Sequence, residues 1–140
     1  MMNEFKQECT IILAVREKGK KFSWVGKLLN QDGECLVLAK KFMGSVSPAA
    51  AENAALEFGM EQALRLRQEK VELQTSFPCE KILQENKGKS AKKLPKNLST
   101  SDIRLRELWS SFRLRRCRLI SGDEERELLH EIQQEFKSKE

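Results

Sequence analysis

Histidine occurs once, proline three times and glycine seven times in the 140 residues. A glycine and proline content this low, beside 39% hydrophobic and 34% charged positions, excludes collagen-like and globally disordered chains, which cannot bury a core of ordinary size. Long apolar runs are also missing. Stretches such as Ile11 to Val15 and Cys35 to Ala39 fall far short of the roughly 20 residues that a bilayer-spanning helix needs, so no membrane partner is expected. The four cysteines, Cys9, Cys35, Cys79 and Cys117, form no CxxC pair, and with His130 as the sole histidine they exclude the usual Cys/His zinc spacings. Reduced thiols in an intracellular protein are the expectation. The opening, Met1 to Thr10, carries Glu4 and Glu8 and shows neither a basic-then-apolar leader nor an Arg/Ser-rich amphipathic one, so no export or import signal is expected. The length suits a single domain spanning 1–140, because domains commonly run to about 100–200 residues.

What the chain does have is charge, unevenly placed. Residues 1–85 balance to zero, residues 86–118 carry a net +9, and residues 119–140 carry −4. A basic block of that density attracts polyanions, since every phosphate neutralised by Lys or Arg releases condensed counterions. Nucleic acid is therefore the leading partner class. The competing reading is a solvated basic face offset by the acidic C-terminal segment.

Hydrophobic patterning gives the architecture. Thr10 to Arg16 is a β-branched run, Glu17 to Lys21 a glycine-centred turn, and Phe22 to Leu29 alternates as a strand. Asp32-Gly33 is a strong turn signal before Glu34 to Met43, so the first 43 residues predict a three-stranded antiparallel meander. Ser47 and Pro48 open an alanine-rich helix reaching to about Gln68, whose small residues and Gly59 imply close packing on a sheet. Lys70 to Ser76 alternates as a strand, Pro78 to Asn86 reads as a short helix, and a polar, basic linker covers residues 87–98. Ser99 to Ser111 predicts a capped helix with Ile103, Leu105, Leu108, Trp109 and Phe112 on its apolar stripe. Arg113 to Ile120 reads as a strand, and Ser121 to Glu124 caps a final helix bearing Leu128, Leu129, Ile132 and Phe136. Helical crossovers into the last two strands imply parallel pairing, giving an α/β domain with a mixed five-stranded sheet.

This order of elements resembles a ribonuclease H type 1 domain over nearly the whole chain. Ala51, Glu52, Ala54, Ala55, Gly59 and Ala63 follow the pattern of that family's first helix, and Asp32-Gly33 matches its turn between strands two and three. The lysines of the linker, followed by the helix carrying Trp109, lie where the cellular enzymes carry a basic protrusion and its Trp-bearing helix, which grips the hybrid duplex. The resemblance implies four carboxylates holding two metal ions about 3.5–4 Å apart, Mg or Mn if the chain is active. Glu52 matches the helix carboxylate. The first-strand aspartate falls within Ala14-Val15-Arg16, Ser76 stands at the fourth-strand aspartate, and at the C-terminal spacing of His, Asn and Asp this chain has Cys117, Asp123 and Glu127. Only Glu52 and Glu127 remain as catalytic or metal-binding candidates. Hard Mg²⁺ is held through carboxylates and substrate phosphates, so metal affinity and hydrolysis are both expected to fail and no cofactor is expected.

Lys87, Lys89, Lys92, Lys93 and Lys96 in the linker, with Arg113, Arg115 and Arg116, are the candidate nucleic-acid contacts, positioning an A-form-like duplex through phosphates and 2′-hydroxyls. His130 lacks a partnering Asp or Ser motif and is read as a surface or core-edge residue, and Trp109 and Phe112 as core anchors. Three functions follow: a ribonuclease H-like domain that binds RNA or an RNA–DNA hybrid but has lost its metal site; an active hybrid ribonuclease using Glu52, Glu127 and a further acid such as Glu17 or Glu72; or a protein-interaction module docking a partner through the last helix or a sheet edge.

Overall fold

The computed structural model describes residues 8–78 and 100–138. The expected short helix from Pro78 to Asn86, apart from Pro78 itself, and the whole of the 87–98 linker lie outside the described residues. The first three strands form the expected meander: β1 (Glu8–Lys18), β2 (Lys21–Leu29) and β3 (Cys35–Gly44) pair antiparallel in sequence. The β1–β2 turn has two residues, and both Gly19 (φ 55°) and Lys20 (φ 67°) lie in the left-handed region, as the tight hairpin matching strand twist requires. In the β2–β3 turn, Asn30 Oδ1 accepts hydrogen bonds from the backbone N–H groups of Asp32 and Glu34, both at 2.9 Å, and Gly33 supplies the positive φ.

Helix α1 (Pro48–Arg65) follows, with Ser47 Oγ accepting from the Ala50 N–H and proline in the first turn. The pattern of small residues extends to Gln68, but the helix ends three residues sooner. Arg67 adopts a left-handed conformation (φ 61°), its N–H donating to the Leu64 carbonyl and the Gln68 N–H to the Ala63 carbonyl. That pair of bonds is a Schellman closure, made here with arginine where glycine is usual.

Strand β4 (Lys70–Thr75) pairs parallel with β1, and β5 (Leu114–Leu119) pairs parallel with β4, so the strand order is β3-β2-β1-β4-β5. Helix α2 (Thr100–Ser110) precedes β5 and α3 (Gly122–Ser138) follows it. The mixed five-stranded sheet is the one the sequence predicts.

One face of the sheet carries the larger core. Cys9, Ile11, Leu13, Trp24, Leu28, Val71 and Leu73 pack under Ala55, Leu56, Met60 and Ala63 of α1 and Leu105, Leu108, Trp109 of α2, joined by Phe112. Trp109 and Phe112 are core anchors as expected, and Trp24 joins them, its ring 4.8 Å from that of Phe58. The small residues of α1 allow a very close seat: a Cβ on Gly59 would lie 2.6 Å from Ile11 Cγ2 and 3.4 Å from both Leu13 methyls. On the opposite face α3 lays Leu128 and Ile132 over Ala14 and Val25.

Gly59→Val is therefore expected to cost about 1–3 kcal/mol through overpacking against β1, whereas Gly122→Ala, facing open space, stays within about 0.5 kcal/mol. Urea midpoints of the two variants check this, and equal midpoints would contradict the close seat.

Candidate functional site

The C-terminal end of β4 lies beside the middle of β1 in the centre of the sheet, with Leu13 opposite Thr75. Residues 14–16 of β1 do not open into a loop. The strand continues through them in register with β2, Ala14 opposite Val25, Val15 opposite Trp24 and Arg16 opposite Ser23. Ala14 is sealed under α3, Val15 is half-buried, and Arg16 is exposed.

Ser76 continues from β4 and ties it to β1. Its N–H donates to the Leu13 carbonyl at 3.0 Å, and its Oγ accepts from the Val15 N–H at 3.1 Å. The buried Thr75 hydroxyl donates to the Phe77 carbonyl at 2.6 Å, fixing the chain as it leaves the strand. At the position that the resemblance assigns to a carboxylate, this chain uses a hydroxyl to hold the backbone.

Glu52 sits near the start of α1, half-buried, with no hydrogen bond or ion pair among the described residues. Burial pushes its carboxyl above the ordinary value, and nothing cationic pulls it back. Glu127 is exposed on α3. Among the described residues no three Asp, Glu, His or Cys side chains are grouped closely enough to hold a metal ion. The donors present do not fit a two-metal centre: the β1 position offers backbone and Arg16, and the Ser76 position offers an uncharged hydroxyl that already accepts from the Val15 N–H.

The two acids weighed as further ligands have other surroundings. Glu17 is exposed at the end of β1 opposite Phe22. Glu72 lies between two arginines of β5: Arg116 reaches it at 2.9 Å and Arg118 at 3.4 Å. Burial pushes the Glu72 carboxyl up, yet the Gln74 amide and the two guanidinium groups together hold it below its ordinary value. The series extends outward, since Arg116 also reaches Glu8 at 3.2 Å and Arg118 reaches Glu124 at 2.8 Å. Parallel pairing produces this ladder by setting Glu72 opposite Arg116 and Gln74 opposite Arg118.

The candidate phosphate-binding arginines are thus separated by face. Arg116 is engaged by Glu8 and Glu72. Arg115, on the other face, donates to the Phe112 carbonyl at 2.9 Å. Arg113 is exposed and lines an open pocket of about 470 Å³ with Arg67, Glu69, Ser110 and Ser111. Arg113 immediately precedes β5, Arg115 is its second residue and Arg116 pairs with Glu72, so all three are set back along the strands from Ser76, Arg116 by roughly 13 Å and the other two by more. Lys87, Lys89, Lys92, Lys93 and Lys96 lie outside the described residues. His130 is exposed, as expected.

A scan against protein-family models and a search of curated proteins gave no match. Comparison with solved structures did. The N-terminal ribonuclease H domain of a Mycobacterium tuberculosis protein is similar with a TM-score of 0.67 at 14% identity, covering 84% of this chain and 89% of that one. The ribonuclease H1 of the halophilic archaeon Halobacterium salinarum gives 0.63 at 15% identity, with coverage of 83% and 87%. A ribonuclease H1 named LC11, in complex with an RNA/DNA hybrid, gives 0.58 at 14% identity, with coverage of 83% and 87%. The protein has the ribonuclease H fold.

Two outcomes test this account. Ser76→Ala, which leaves the half-buried Val15 N–H without its acceptor, is expected to cost about 1–3 kcal/mol in a urea titration. At the start of α3, Glu124 bonds Arg118 and the Ser121 N–H, which hold its carboxyl down at about 2 from an ordinary 4.5. A depressed folded value means that this contribution to stability is complete above about pH 4.5 and is lost as the pH falls toward about 2. Urea midpoints of Glu124→Gln across that range are expected to fall less steeply than those of the parent, and identical slopes would contradict it.

Proposed function

We propose that this chain is a ribonuclease H-fold domain that binds RNA or an RNA–DNA hybrid and does not cleave it. The observation that carries the reading is the through-running β1: at the position where the resemblance requires an aspartate, the strand stays paired with β2 from Ala14 to Lys18 and Ser76 closes against it. Phosphodiester hydrolysis by two metals needs oxygen ligands that clamp both the attacking and the leaving oxygen. Of the two acids that match ligand positions, Glu127 is exposed, and the raised carboxyl of Glu52 reflects burial without a counter-charge. Glu72, weighed as a further ligand for an active enzyme, is drawn to Arg116 and Arg118.

Binding is supported by two things. One solved relative in fold, LC11, is held with an RNA/DNA hybrid. The chain also has a net charge of +5, with the excess concentrated in 86–118. Electrostatic binding of this kind is sequence-independent and steeply dependent on salt.

Fluorescence anisotropy with a labelled RNA–DNA hybrid is expected to give dissociation constants near 10⁻⁴ to 10⁻⁶ M, as non-specific binding does, weakening at least about tenfold between 50 and 200 mM salt. Glu52→Gln is expected to leave that affinity unchanged. Salt-independent binding, or none at low salt, would overturn the binding half of the proposal. Cleavage of the hybrid in Mg²⁺ or Mn²⁺ that disappears in Glu52→Gln would overturn the other half.

A further inference from the structure

The hairpin end of the meander is cationic on its own account. Arg16, Lys18, Lys20, Lys21 and Lys41 are all exposed there, and none of the five is paired with a carboxylate among the described residues. Elsewhere, ion pairs engage Lys27, Arg104, Arg116, Arg118 and Arg126.

Register determines how these side chains are arranged. Arg16, Ser23 and Phe42 form one rung across β1, β2 and β3, and Lys18 and Lys21 form a rung beyond it on the same face. Adjacent strands are about 4.8 Å apart, so Arg16 and Phe42 stand about 10 Å apart across the rung. This is the face that α3 covers through Ala14 and Val25, and these rungs extend past that cover.

Phe42 is the most exposed large hydrophobic side chain of the described residues, at 67%. The bulge between Phe22 and Ser23 skips Met43 and sets Phe42 opposite Ser23. Its ring lies beside bare backbone at Gly44, where an added Cβ would be 3.8 Å from Phe42 Cε2. An aromatic ring open to solvent and bordered by unpaired cations has the two components of a single-strand binding surface: a platform for a base and a positive field for the backbone. A paired duplex keeps its bases stacked on each other and offers no face to such a ring.

We infer that the hairpin end of the sheet binds single-stranded RNA or DNA, with Phe42 stacking on an unpaired base and Arg16, Lys18 and Lys21 holding the adjoining phosphates. The inference rests on the nucleic-acid-binding reading above and adds to it a contact at the hairpin end of the sheet. It assigns the chain a preference for unpaired strands over a continuous hybrid.

The test is anisotropy at 50 mM salt with a fluorescein-labelled uridine 20-mer and a hybrid of equal length. The full chain is compared with K18E/K21E, F42A and R65E, the last an exposed arginine at the far end of α1 with no part in either binding reading. The parent is expected to bind the single strand more tightly than the hybrid. K18E/K21E is expected to weaken single-strand binding at least about tenfold, F42A at least about fivefold, and R65E by less than twofold. F42W retains the platform and is expected to restore affinity, its added indole fluorescence quenched when the oligonucleotide binds. Unaltered thermal midpoints for the exposed-site variants confirm that folding is not what changed. If the parent binds neither oligonucleotide, the nucleic-acid reading falls and this inference with it. If the parent binds but K18E/K21E does so equally well, the inference alone is overturned. The stacking assignment is overturned if F42A binds like the parent, or if the hybrid is preferred.

Discussion

The whole arrangement depends on how closely α1 can approach β1. Ala51, Ala55 and Gly59 present almost no side chain toward the sheet, and the Ile11 and Leu13 methyls occupy the space a larger residue would need. That contact buries the central strand on one face while α3 buries it on the other, and β2 and β4 take its hydrogen bonds at both edges. With β1 fixed on four sides, the positions of Val15, Arg16 and Ser76 are set by the strand and not by loop geometry. The chemistry available at the sheet's C-terminal end is therefore a direct consequence of which residues β1 and β4 carry.

Those residues make backbone ties and surface charge. A carboxylate at either position would be held against its neighbours in a partly buried place, at a cost recovered only by bound cations. Ser76 avoids that cost by accepting a backbone hydrogen bond, and β1 avoids it by staying paired. Glu52 is the exception: it keeps the burden of a half-buried carboxylate without a compensating charge. The same sheet thus has an end with few acids and many free cations, and a flank at β4–β5 where cations and acids neutralise each other.

Much of the fold was legible in the chain because it is encoded locally. Alternation marks Phe22 to Leu29, Ser47 and Pro48 mark the start of α1, and Asp32-Gly33 marks a turn. The end of α1 is hidden in the sequence because Arg67 takes the conformation usually reserved for glycine, which nothing in its side chain signals. The ionic ladder was invisible for a different reason. Glu72 and Arg116 are 44 residues apart, and only parallel pairing brings them together. The hairpin cations were hidden by arithmetic: averaged over residues 1–85 the charge is zero, and the concentration at Arg16 to Lys21 emerges only once β1 and β2 are folded back on each other. Phe42 reads as one more strand residue until the bulge assigns its face.

The ladder on β5 bears on how the molecule behaves in a crowd. β5 is an outer strand, and its Leu114 and Leu119 are exposed, a combination that invites the edge of another sheet to add on. Arg116 and Arg118, alternating along that strand and steered inward by Glu8, Glu72 and Glu124, line the flank with bulky charge that an incoming strand would have to desolvate. The carboxylates that neutralise the arginines thereby also hold them in place as a guard against self-association.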